Sequence, residues 1–174
     1  MMLDSPMQRG QQWLKTLLQL TKISTEIRGE LKVSPFQDGD SPEPDNYWLT
    51  IDESNLTPTQ IQVLIGTDGS ALDAIQYLAN SVLNLSQPEG EQASYTIELN
   101  GYRVKREAEM RVMAEAAADE VRSSGQEVEI KSLSSAERRQ IHTFFKEFQD
   151  LETFSRGKEP HRHLVVRPAG TLES

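Results

Sequence analysis

The sequence predicts an α+β protein built from two small modules, and three observations carry that expectation. Helix-period apolar patterns at 9–27, 70–83, 102–123 and 134–148 are interleaved with short apolar or alternating runs at 47–51, 61–65, 95–99 and 164–166. Such a mixture packs helices against small sheets. The 174 residues are 36% hydrophobic, which allows compact cores of modest size. Charge is divided unevenly: residues 1–100 hold 5 basic and 14 acidic side chains, residues 101–168 hold 13 and 12, and the whole chain carries −9.

Composition also excludes. No run of apolar residues is long enough to cross a membrane, and no charged-then-apolar leader opens the chain, so a cytoplasmic protein is expected. Without cysteine there is neither a disulfide framework nor thiolate chemistry.

Residues 1–8 show no periodicity and are expected to be disordered. From Arg9 to about Ile27, Trp13, Leu14, Leu17, Leu18, Leu20, Ile23 and Ile27 fall mostly on one helical face. Leu31-Lys32-Val33 begins a strand. Residues 34–46 contain three prolines, a glycine and four acids, the composition of an exposed acidic loop. Tyr47–Ile51 and Ile61–Ile65 read as strands separated by the Thr57-Pro58 break.

Gly66-Thr67-Asp68-Gly69 precedes a helical pattern in Leu72, Ile75, Leu78, Ala79, Val82 and Leu83. Glycines flanking a turn at a helix start allow close backbone approach, and the free amides there attract phosphate. Tyr95–Leu99 alternates as a strand. Tyr102 to about Ser123 forms a long helix with Val104, Ala108, Val112, Ala118 and Val121 among its buried positions and Gly125 beyond its end. Its first turn carries Arg103, Lys105 and Arg106, the unfavourable sign at a helix start. Either these cations bind a ligand, or Glu98, Glu107 and Glu109 neutralise them locally. Glu127–Ile130 is a short strand.

The stretch from Ser134 to Pro168 gathers all three histidines and seven of the eighteen Lys/Arg residues. Ser134 and Glu137 form a capping box, and Ile141, Phe144, Phe145 and Phe148 make a buried stripe behind it. Arg138 and His142, four apart, share a different face. A guanidinium beside an imidazole suits a phosphate oxygen or an unpaired base. A loop bearing Arg156, Lys158, His161, Arg162 and His163 follows, then the strand Leu164-Val165-Val166 and Arg167.

Helix, basic Gly/Pro loop and strand in this order resemble the R-three-H domain, a single-stranded nucleic-acid-binding module named for Arg-x-x-x-His, here Arg138 and His142. Upstream, helix, two strands, Gly-x-x-Gly, helix and strand resemble a type II KH domain, which clamps nucleotides over its glycine loop. Leu64-Ile65-Gly66, Leu72–Leu78 and Gly101–Glu107 are similar to blocks of the bacterial Jag-type (KhpB-like) RNA-binding proteins, in which both modules occur in tandem. The resemblance implies a KH-like domain over 9–125, an R-three-H domain over 126–168 and a disordered tail over 169–174. The separate N-terminal Jag domain of some relatives is expected to be absent. One departure matters: relatives place basic residues between the two glycines, where Thr67 and Asp68 stand here. A carboxylate repels phosphate and competes for the same amides, so Gly66–Gly69 is expected to bind RNA weakly or not at all.

The function implied is non-enzymatic binding of single-stranded RNA, with single-stranded DNA as a further ligand, by a post-transcriptional regulator or RNA chaperone. Arg138, Arg162 and Arg167 would neutralise phosphates, His142 would hydrogen-bond, and His161 or His163 would stack on a base. Arg156 and Lys158 belong to the same expected surface, and Arg103, Lys105 and Arg106 would extend it. The alternative is an assembly factor whose KH-like half binds protein; the resemblance names a small KH-domain protein as partner. A metal hydrolase using His142, His161 and His163 lacks a supporting motif, and no metal or cofactor is expected.

Overall fold

A computed structural model of the chain describes residues 5–32 and 45–170, which divide into two compact units at Arg103/Val104. Residues 1–4, 33–44 (Val33, the end of the expected strand, and most of the acidic loop) and 171–174 lie outside the described residues.

The first unit runs α1 (Pro6–Leu20), β1 (Ile27–Lys32), β2 (Asn46–Ile51), α2 (Pro58–Ile65), α3 (Ser70–Asn84) and β3 (Ser94–Leu99). α1 starts earlier than periodicity implies, because Ser5 and Gln8 form a capping box and Pro6 occupies the first turn. Residues 5–8 are therefore ordered. The helix stops at Leu20, and Ile27 belongs to a strand instead.

The run Ile61–Ile65 is helical, not extended, which corrects the expected second strand. Thr57 caps the helix, Gln60 bonds back to it, and Pro58 sits at the first position. β2 lies centrally, antiparallel to β1 and parallel to β3. Leu14 and Leu18 of α1 and Leu72 and Ala79 of α3 share a core with Leu49, Ile97 and Leu99 of the sheet. The outer edge of β3 is closed by side-chain amides of α3. Asn80 accepts from the Tyr95 amide at 2.9 Å and donates to its carbonyl at 2.7 Å, and Gln76 accepts from the Ile97 amide at 3.0 Å.

α4 (Tyr102–Ser124) begins at the boundary, and its buried residues, Met110, Ala114, Ala117, Ala118 and Val121, belong to the core of the second unit. The compact units thus divide ahead of nearly the whole helix, whereas the sequence places the module boundary at Gly125. Val104 and Val112, expected inside, are 59% and 66% exposed, and Ala108 is exposed as well.

The second unit continues with β4 (Val128–Ile130), α5 (Ser135–Phe145), β5 (Leu151–Arg156) and β6 (His163–Pro168), the strands ordered β4-β6-β5 and all antiparallel. Ile141 and Phe145 of α5 pack with α4 against Leu164 and Val166. Among the described residues no helix is long and apolar enough to cross a membrane.

Candidate nucleic-acid interface

α5 is set by its cap. Ser134 Oγ accepts from the Glu137 amide at 3.2 Å, and Glu137 Oε2 accepts from the Ser134 amide at 2.8 Å. Such a box stabilises a helix start by about 1 kcal/mol. The rings of Phe144, Phe145 and Phe148 meet at 5.2–5.7 Å between centroids and hold the far end.

Arg138 and His142 do not have the same surroundings. Arg138 is only 6% exposed. Its Nη1 donates to the carbonyls of Leu133 at 2.9 Å and Arg162 at 3.1 Å, and Nη2 pairs with the Glu159 carboxylate. With its fork turned inward, Arg138 does not offer phosphate the open guanidinium that the sequence suggests. His142 is exposed, its Nδ1 lying 2.6 Å from Thr153 Oγ1.

In the loop between β5 and β6, Gly157 takes φ +90° and the His161 amide donates to the Lys158 carbonyl at 2.8 Å. This turn leaves Lys158, His161 and Arg162 exposed. Arg139, three residues before His142 and also exposed, belongs with them. Sequence reading misses it, although the three-residue spacing to His142 is a usable signal. Among the described residues, Arg139, Lys158 and Arg162 have no acidic side chain paired with their own.

The other expected cations are engaged. Arg156 pairs with Glu127 at 2.6 Å and Arg167 with Glu152 at 2.5 Å, and both guanidinium groups lie over the Phe154 ring, at 5.2 and 4.7 Å. Hydrogen bonding from Arg156 holds the Glu127 carboxyl below the usual carboxylate range. His163 is half-buried, with Nδ1 donating to the His161 carbonyl at 3.2 Å and Nε2 lying 3.3 Å from Glu129 without hydrogen-bond alignment. The three cations opening α4 also fail to form a track. Arg103 pairs with Asp73 at 2.5 Å and donates to the Ile97 carbonyl at 3.1 Å; Arg106 pairs with Glu137 at 2.7 Å. Lys105 alone of the three projects outward, 4.0 Å from Glu109. The helix start also receives its acid, because Glu98 accepts from the Arg103 amide at 3.1 Å.

In the first unit, Thr67–Gly69 form a single 3₁₀ turn between α2 and α3, and Asp68 has left-handed φ +53°. Both glycines answer to internal sterics. A Cβ on Gly69 would lie 2.4 Å from the Tyr102 hydroxyl, and one on Gly66 2.7 Å from the Ala71 amide nitrogen. Among the described residues no three His, Asp or Glu side chains assemble into a metal site.

Residues 108–168 match the family profile described as the R-three-H domain. The second unit carries an R-three-H domain. The match covers all of α5, the loop and both following strands, together with most of α4. The chain is also similar to curated proteins named RNA-binding protein KhpB. It is 32% identical over 112 residues to that of Lactiplantibacillus plantarum, covering 64% of this chain and 34% of the relative. For Clostridium symbiosum the identity is 30% over 112 residues, covering 64% and 50%; for Bacillus subtilis it is 28% over 126 residues, covering 68% and 60%. The matched region thus spans between a third and three fifths of these relatives. They are named as binding proteins rather than enzymes.

Proposed function

We propose that this protein is a non-enzymatic binder of single-stranded RNA, acting in the cytoplasm as a post-transcriptional regulator or RNA chaperone and engaging RNA mainly through its R-three-H domain. The observation that carries this is the exposed set Lys158, His161 and Arg162 on the β5–β6 loop, with Arg139 and His142 on α5. Cations supply phosphate affinity, and imidazole rings hydrogen-bond or stack on unpaired bases. The KhpB relatives, named RNA-binding, support the ligand class.

The first unit is read as a type II KH-like domain. Its element order and the glycine-flanked turn between α2 and α3 support that reading, while Asp68 opposes phosphate at the turn. Titration of a labelled single-stranded oligonucleotide at several salt concentrations tests the proposal. Each phosphate neutralised adds roughly 0.7 to the slope of log affinity against log salt, so a flat line overturns it.

A second reading, assembly with a small KH-domain protein through the first unit, is favoured by apolar side chains left open on and just after α3. Tyr77, Val82 and Leu85 are 73%, 50% and 85% exposed. Crosslinking in cells separates the two readings: protein adducts without RNA support assembly.

A further inference from the structure

Arg138 is the residue for which the R-three-H domain is half named, yet it is buried, and its guanidinium is bonded to two backbone carbonyls and a carboxylate of the protein itself. It reaches three points: the Leu133 carbonyl just before α5, the Arg162 carbonyl at the end of the β5–β6 loop, and the Glu159 carboxylate within that loop. Glu159 is itself 59% exposed at the side chain, a negative group in the segment that carries Lys158, His161 and Arg162. For contact with a polyanion alone this carboxylate is a liability. As the anchor of a clasp it has a use.

Resting on the RNA-binding reading above, we infer that Arg138 is a positioning residue rather than a contact residue: from inside the domain it fixes the 157–162 loop through Glu159 and the Arg162 carbonyl. Lys158, His161 and Arg162 are thereby held outward before any ligand arrives. A loop ordered in advance loses less conformational freedom on binding, so the clasp raises affinity without touching RNA.

Glu159→Ala in the full chain tests this, because the two roles for Arg138 give opposite signs. If Glu159 merely restrains a contact arginine, its removal frees a guanidinium and deletes a repulsive charge. Affinity for a labelled oligouridylate then rises, and the salt slope steepens by roughly 0.7. If the clasp positions the loop, affinity falls several-fold with the slope unchanged, and the His161 amide, which donates to the Lys158 carbonyl within the loop, exchanges faster in the RNA-free protein while amides within α5 do not. Glu159→Gln, which keeps an oxygen acceptor without the charge, restores slow exchange and affinity. Tighter binding by Glu159→Ala, or unchanged loop exchange, overturns the inference. If the wild-type chain itself fails to bind the oligonucleotide, the RNA reading falls, and the exchange measurement still decides whether the clasp orders the loop.

Discussion

The carboxylate of Glu137 accepts from the Ser134 amide at 2.8 Å through Oε2 and from Arg106 Nε at 2.7 Å through Oε1, so one side chain both caps α5 and ties it to α4. Burial pushes this carboxyl up, but hydrogen bonds from Arg106 and Ser134 together outweigh it and hold the group below the ordinary value of 4.5. A carboxyl depressed in the folded state contributes stability that is complete above the unfolded value and is lost as pH falls through the folded one. Urea unfolding should therefore show stability declining below pH 4.5. Glu137→Gln keeps a capping-box acceptor but gives Arg106 no charge. It should cost about 1.5–3 kcal/mol at neutral pH and flatten the acid decline. Parallel pH curves for the two proteins would remove Glu137 from this role.

Gly10 lies in the interior of α1, where glycine ordinarily costs about 1 kcal/mol relative to alanine. A Cβ there would lie 2.7 Å from Tyr95 Cε1. That ring cannot move aside: Tyr95 is 1% exposed, and its hydroxyl donates to the Pro6 carbonyl at 3.1 Å. Overpacking of this kind costs about 1–3 kcal/mol and outweighs the gain in propensity. Gly10→Ala should lower the thermal midpoint; a higher midpoint would show that the helix shifts to admit the methyl.

What is legible in the sequence is local. The Ser134/Glu137 box and the Phe stripe need only partners three or four residues apart, and both stand in the structure. Ile61–Ile65 misleads because five apolar residues fit either period; the deciding signal is Thr57-Pro58 with Gln60, which is a helix start and not a mere break. For α4, periodicity identifies a helix but not the face its neighbours bury, so Val104 and Val112 are expected inside and lie outside. Spacing likewise puts Arg138 and His142 on neighbouring turns but cannot show that Glu159, 21 residues away, turns one inward.

Burial separates the arginines by their effect on stability. Arg138→Ala leaves two backbone carbonyls without their charged donor and should cost about 1.5–3 kcal/mol. Arg156, paired with Glu127 at the surface with 44% of its side chain exposed, should cost no more than about 1 kcal/mol on the same change. Comparable urea midpoints for the two variants would contradict this ranking.

The same distinction orders the cations in RNA binding. Arg139, Lys158 and Arg162 project into solvent, so a phosphate can approach them without displacing an internal partner. Arg103 and Arg167 would first have to leave Asp73 and Glu152, each 2.5 Å away. Giving up an ion pair already formed offsets most of what a phosphate contact would gain, so Arg103 and Arg167 stay with their carboxylates and neutralise no phosphate. Alanine at Arg139, Lys158 or Arg162 should thus each reduce the salt slope by roughly 0.7, while alanine at Arg103 or Arg167 leaves it unchanged. A shallower slope for Arg167→Ala would move the RNA path onto the outer face of the sheet, where Phe154 lies under the Arg156 and Arg167 guanidinium groups.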